Sequence, residues 1–168
     1  QKINLAVFNK GLLAGFEGKS IIIDSILDNC IKTYQETMSA EKSAANKLAG
    51  QEFLVKNAKK PGVVSLPNGI QYEILIAGKD TTKPTIKDKV RCHYHGTLID
   101  GSIFDSSVQR GEPITFPLNG VIKGWQESLP LMSIGSKWRL YIPAELGYGD
   151  RQAGPMIGPG STLIFEVE

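Results

Sequence analysis

Apolar residues recur at three- and four-residue steps in the first sixty positions and mostly at two-residue steps afterwards. Leu5, Phe8, Leu12 and Phe16 predict an amphipathic helix that ends near Gly15 to Gly18. A longer helical run follows, in which Ile23, Ile26, Leu27, Cys30, Ile31, Tyr34 and Met38 keep the stepping and Ala44, Ala45, Leu48 and Leu54 continue it more weakly. Thr37 to Ser39 is a possible joint, so the pattern leaves open whether residues 21–59 form one helix or two. At ~1.5 Å per residue an unbroken run would reach about 50 Å, longer than a small domain is wide. A short helix and a long one within sixty residues make a poor core by themselves, so these apolar faces ask for a partner, most simply a second copy of the chain.

Pro61-Gly62 stops the helical pattern, and Val63 to Ile70 reads as an extended entry with an Asn68-Gly69 turn. Strand-like alternation then appears three times. Ile70, Tyr72 and Ile74 alternate with Gln71, Glu73 and Leu75; Val90, Cys92 and Tyr94 with Arg91, His93 and His95; Trp138, Leu140 and Ile142 with Lys137, Arg139 and Tyr141. Thr162 to Glu168 reads as a closing strand, and only Ile122 to Leu131 has helical spacing in this half. The expected class is α+β: an antiparallel sheet wrapped on one short helix, preceded by an all-α arm with a long helix. Residues 1–61 would form the arm and residues 62–168 the sheet domain.

Composition sharpens this division. All nine prolines fall from Pro61 onward, and residues 1–60 hold only four of the eighteen glycines, so the first part can be helical and the remainder cannot be mostly so. The net charge is +2, with nine Lys against six acids in the first sixty residues and ten basic against eleven acidic residues after them. Neither part is a polyelectrolyte, which argues against phosphate-backbone binding, and no stretch approaches the ~18 apolar residues of a membrane span. Cys30 and Cys92 are far apart in unlike contexts, and Cys92 reads as a small buried thiol. His93 and His95 would share one strand face, but no third metal ligand is visible, so a sheet-surface pair is preferred and neither metal nor cofactor is expected. Ser106-Ser107 has no histidine base assigned to it and reads as a pair of strand-end hydroxyls that bond local backbone. Phosphate loops, the G-x-S-x-G elbow, H-E-x-x-H and C-x-x-C are all absent.

What remains is a set of aromatic and branched residues in loops, where packing alone does not demand them. Six ordered strings carry them: Cys92 to Leu98, Asp100-Gly101, Phe104 to Ser107, Gly120 to Trp125, Ile142 to Gly149 and Ile157 to Phe165. Together these strings resemble the FK506-binding family of peptidyl-prolyl isomerases, almost continuously over residues 62–168. The stretch from Phe53-Leu54 through Asn57 to Val63 and on to Gly69-Ile70-Gln71-Tyr72 is similar to the bacterial macrophage-infectivity-potentiator subgroup. Members of that subgroup place a helical dimerisation region before the isomerase domain.

The resemblance implies an enzyme that acts on X-Pro bonds of unfolded or partly folded polypeptides, with chaperone activity from a homodimer formed through residues 1–60. A non-catalytic chaperone or peptide-binding module is the alternative. Carried over position by position, the catalytic set is Asp105, Tyr94, Phe104, Tyr148 and Phe165. Val121, Ile122, Trp125, Met156, Ile157 and Arg110 bind substrate, with Trp125 as the floor and Arg110 steadying Asp105. A macrolide is a possible ligand. Ile114 stands where some members place an aromatic, Ala153 where some have a histidine, and Gly120 lies in a shorter segment. The subgroup and the first residue, Gln1, carry the expectation of a segment upstream and of a periplasmic or envelope location, with the cytoplasm as the alternative.

Overall fold

One helix carries the long apolar pattern. In the computed structural model, which describes residues 5–18 and 24–168, helix α1 spans Leu5–Phe16 and helix α2 spans Asp24–Asn57 without interruption. The possible joint at Thr37 to Ser39 is therefore absent. Thr37 Oγ1 donates to the Thr33 carbonyl one turn back at 2.8 Å, which satisfies the hydroxyl inside the helix instead of competing with it. The α1 pattern closes as expected, with the Gly18 amide bonded to Gly15 and Gly18 at φ 66°. Ile23 lies outside the described residues, as do the side chains of Leu5, Ile26 and Leu27. Phe8, Leu12, Phe16, Ile31, Tyr34 and Met38 are all exposed.

By packing, the chain divides into Gln1–Met38 and Ser39–Glu168. The second unit holds the sheet and also the C-terminal part of α2. Its strands are β1 (Val63–Ser65), β2 (Gln71–Ile76), β3 (Lys89–Cys92), β4 (Tyr94–Leu98), β5 (Ile103–Ser106), β6 (Ile114–Pro117), β7 (Lys137–Ile142) and β8 (Leu163–Val167). Six of them form an antiparallel sheet in the order β1-β2-β7-β8-β4-β5, while β3 and β6 pair separately. Helix α3 (Ser107–Arg110) follows β5, and α4 (Lys123–Ser128) is continued by a 3-10 turn, Leu129–Leu131. The expected helical spacing of Ile122 to Leu131 thus resolves into these two pieces.

The Asn68-Gly69 turn forms as expected: Asn68 Oδ1 accepts from the Ile70 amide, Gly69 takes φ 89°, and β1 and β2 pair across it. The alternation through Val90, Cys92 and Tyr94 hides a change of sheet. His93 leaves the ladder of β3, and its N–H and C=O both pair with Glu168 at 2.9 Å, so Cys92 and Tyr94 lie in different sheets. Both still enter one core, which gathers Trp138, Leu140 and Ile142 of β7, Leu163, Phe165 and Val167 of β8, and Trp125 and Leu129.

The other face of β7 is covered too. Tyr141, expected to alternate outward, is buried because Phe53 of α2 lies against it, with ring centroids 5.9 Å apart. Beside it the amide of Gln71 is buried: Nε2 donates to the Leu54 carbonyl at 2.9 Å, and Oε1 accepts from Asn57 Nδ2 at 3.0 Å. Arg139 bridges Glu73 at 3.1 Å and Glu166 at 2.6 Å on the same face. Apolar cover from Phe53 and the two hydrogen bonds of the buried Gln71 amide tie this part of α2 to the sheet, while Asn57 Oδ1, also buried, has no partner among the described residues.

Candidate active site

A cavity of about 530 Å³ opens between the sheet, β6, α4 and the loops after β6 and β7. Its lining brings together nine of the residues expected from sequence: Tyr94, Phe104, Asp105, Val121, Ile122, Trp125, Tyr148, Ile157 and Phe165. They come from three kinds of element. Strands β4, β5 and β8 contribute Tyr94, Phe104 with Asp105, and Phe165; α4 contributes Trp125; the loops contribute the rest.

The aromatic rings meet edge to face. Trp125 packs against Phe165 at 5.2 Å and Tyr94 at 5.5 Å, and Phe104 against Phe165 at 5.4 Å, with interplanar angles of 75°, 81° and 83°. Such a cage presents ring faces and edges on several sides of a small apolar group. It depends on Gly96 of β4, where a Cβ would stand 2.5 Å from the Phe104 ring and 3.1 Å from Phe165. Trp125 is buried at the base, and its Nε1 has no acceptor among the described residues.

One wall is polar. The Tyr94 hydroxyl donates to Asp105 Oδ2, Arg110 Nη1 donates to Asp105 Oδ1, and Arg110 Nη2 reaches the Tyr94 oxygen at 3.0 Å. Arg110 is delivered by α3, a four-residue helix that the alternation pattern did not predict. Its start is capped by Ser106, whose Oγ accepts from the Gln109 amide at 3.2 Å, and Gly111 closes it at φ 78°. Ser107 bonds backbone, as expected, but on a neighbouring strand: its Oγ accepts from the Tyr94 amide at 2.8 Å. Partial burial tends to raise the Asp105 carboxyl, but the Tyr94 hydrogen bond and then Arg110 outweigh it and hold the group below the usual carboxylate range. Tyr94 moves the other way, pushed up first by burial and then by its bond to Asp105. At neutral pH the wall is a carboxylate shared by a neutral phenol and a guanidinium.

Two of the expected residues lie elsewhere. Arg110 stands behind Asp105 and does not line the cavity. Met156, expected to bind substrate, is half exposed and lines a separate depression with Lys42, Asn46 and Thr162. It neighbours Ile157 in the chain, and the backbone turns only one of the pair inward. Phe116, by contrast, was not anticipated. It lines the cavity with its ring 5.8 Å from Trp125 and 5.9 Å from Tyr94. The two-residue step from Ile114 to Phe116 was the signal that pointed to it. Gly120, Ala153 and Gly154 complete the rim.

His93 Nδ1 and His95 Nδ1 face the hydroxyls of Ser107 and Ser106 at 3.2 and 2.9 Å. Among the described residues no three His, Cys, Asp or Glu side chains converge on a metal-sized site. Cys92 is buried as expected, and burial pushes its thiol up to about 11.

Comparison with known proteins shows the family. The family described as FKBP-type peptidyl-prolyl cis-trans isomerase matches residues 80–168, and the domain amino terminal to it matches residues 1–74. The chain is 46% identical to the FKBP-type 22 kDa peptidyl-prolyl cis-trans isomerase of Escherichia coli, covering 94% of this chain and 78% of that one. It is 42% identical to the outer membrane protein MIP of Legionella longbeachae over 98% of this chain and 74% of the other. The crystal structure of FkpA from Escherichia coli superposes over all of this chain and 81% of its own, with a TM-score of 0.80 at 38% identity. With a family match over more than half of its length and such relatives along nearly all of it, the chain belongs to the FKBP-type peptidyl-prolyl cis-trans isomerases, in the Mip-like subgroup.

Proposed function

We propose that the aromatic cavity is where this isomerase turns X-Pro bonds, and that the chain works as a homodimer whose helical arms hold unfolded or partly folded clients. The observation that carries the site is the convergence of nine strand, helix and loop residues on one cavity whose only carboxylate among the described residues, Asp105, is already tied to Tyr94 and Arg110.

The chemistry follows from the imide. The two X-Pro isomers differ by only ~0.5–1 kcal/mol, but rotation must lose amide resonance over a barrier of ~18–20 kcal/mol. As the C–N bond twists, its nitrogen becomes pyramidal and charge separation across the amide falls. An apolar, aromatic cavity therefore favours the twisted state over the planar, water-solvated one. Trp125, Phe165, Tyr94 and Ile157 grip the prolyl ring. Tyr148 and the Ile122 N–H donate to substrate carbonyls, and the Ile122 amide is free for this because it precedes the first turn of α4. Asp105 faces the rotating carbonyl, and Arg110 positions Asp105. No bond is made to the protein, so neither nucleophile nor general base enters.

The dimer reading rests on the exposed apolar side chains of α1 and of α2 up to Met38, among them Leu13, Phe16, Ile31 and Tyr34. A second copy is the occupant these faces fit best, since each can cover the other by symmetry. A bacterial periplasmic or envelope location is supported by the likeness to a protein named for the outer membrane. No helix among the described residues is long and apolar enough to cross a membrane. A macrolide whose ring mimics the prolyl group would compete for the same cavity. Light scattering on the intact chain tests the assembly: about twice 18.3 kDa is expected, and a monomer mass at every concentration refutes it.

A further inference from the structure

The segment from Ala144 to Gly160 has two sides. One supplies Tyr148, Ala153, Gly154 and Ile157 to the isomerase cavity. The other is backed by the part of α2 that belongs to the same unit. Lys47 Nζ lies 2.6 Å from Asp150 Oδ1 and 3.9 Å from Glu145 Oε1, and Ser43 Oγ donates to the same Asp150 oxygen. Asn46 Nδ2 donates to the Pro159 carbonyl at 2.8 Å, so both ends of the segment are gripped by one turn of helix.

The approach is also close in backbone terms. Gly160 sits at φ 73°, and a Cβ there would stand 2.7 Å from Ser43 Oγ and 2.9 Å from Ser43 Cα. Within the segment, the Gly160 amide donates to Gly149 at 2.8 Å and the Ala153 amide to Ile157 at 2.9 Å. The rim is thus a closed loop, cross-tied inside and held from behind at Asp150 and Pro159. Met156, which does not enter the cavity, looks toward the side where Lys42 and Asn46 lie.

We propose that Ser43, Asn46 and Lys47 are positioning residues of the isomerase: through Asp150 and Pro159 they fix the loop that aims Tyr148 and Ile157 at the substrate. The inference rests on the cavity being the prolyl site. It gives α2 a part in substrate binding beyond that of an arm. Asp105, Tyr94, Phe104 and Phe165 hang on the sheet, so the contribution falls on the binding side of the cavity and not on the carboxylate wall. Loss of a contact made equally to ground and transition states raises KM and leaves kcat in place.

The test uses the intact chain with Asn46→Ala/Lys47→Ala, Asp150→Asn and the conservative Lys47→Arg, on a Leu-Pro peptide. The double variant and Asp150→Asn are expected to raise KM about three- to tenfold with kcat within about twofold of the parent, and Lys47→Arg to stay near the parent. In the same proteins amide hydrogen exchange is expected to quicken at Gly160 and Ala153 but not at Leu140 or Phe165 in the sheet. Unchanged KM with unchanged exchange at Gly160 and Ala153 overturns the proposal, as does faster exchange through the whole sheet, which would mark a merely structural role. Asp105→Leu run alongside separates the two readings. If that variant loses turnover while the α2 variants keep the parent KM, only the positioning role fails; if Asp105→Leu also matches the parent, the site assignment itself fails.

Discussion

Replacing Asp105 by leucine removes the one carboxylate of the cavity while keeping a side chain of similar length. The fold should tolerate this. The side chains of Asp105 and Arg110 are 41% and 46% exposed, and an ion pair that open to water contributes about 0–1 kcal/mol. Tyr94 keeps its contact with Arg110 Nη2 at 3.0 Å and remains packed among Trp125, Phe116 and Phe165. A loss near 1 kcal/mol moves the melting midpoint of a chain this size by about 2–4 °C. Turnover should suffer more, because the carboxylate and its two donors set the field where the imide carbonyl rotates. A tenfold fall in kcat/KM corresponds to about 1.4 kcal/mol of transition-state stabilisation, the order expected for one fixed electrostatic contact. The assay is proline-limited exchange of a Leu-Pro peptide, read with a thermal melt of the same sample. Asp105→Asn, which keeps the shape and loses only the charge, should fall between parent and leucine. Turnover within twofold of the parent at an unchanged melt would make Asp105 a structural turn residue and take the proposed site assignment with it; a collapse of the melt would make it a fold residue.

Trp125→Ala should cost about 3–5 kcal/mol of stability, since the ring is buried against Tyr94, Phe116 and Phe165, and activity should fall with it; a urea melt shifted by less than 1 kcal/mol contradicts the cage as drawn. The folded Asp105 carboxyl titrates below its unfolded value of about 3.9, so the stability it contributes is whole above that pH and is lost as pH falls through the folded value. Stability and kcat/KM should therefore carry no Asp105-dependent step between pH 5 and 8; a step there that vanishes in Asp105→Asn would refute the assignment of a depressed carboxyl.

Much of the fold can be read from the chain because its cues are local. The alternation in β7 and β8, the Asn68-Gly69 turn and the end of α1 are each set by residues a few positions apart. Where the reading fell short, the deciding partner is distant in sequence. Tyr141 keeps the outer face of β7 yet is buried because Phe53 covers it, and the alternation through Cys92 and Tyr94 crosses between sheets because His93 pairs with Glu168. At Thr37 the partner is local instead: α2 runs on through it, and the hydroxyl bonds the Thr33 carbonyl one turn back. In the cavity, motif strings located nine lining residues, but a string cannot tell which of Met156 and Ile157 the loop turns inward. Phe116 was passed over because it sits between the strings, on a strand whose partner, β3, runs out of the main sheet.

The most direct test of the account is exchange spectroscopy on a Leu-Pro peptide with a catalytic amount of the intact chain, combined with transferred contacts from protein to peptide. The account predicts faster cis/trans exchange together with contacts from the Trp125 and Phe165 rings to the prolyl ring. Exchange at the uncatalysed rate, or acceleration with the prolyl ring seated against Met156 and Lys42 instead, would contradict it.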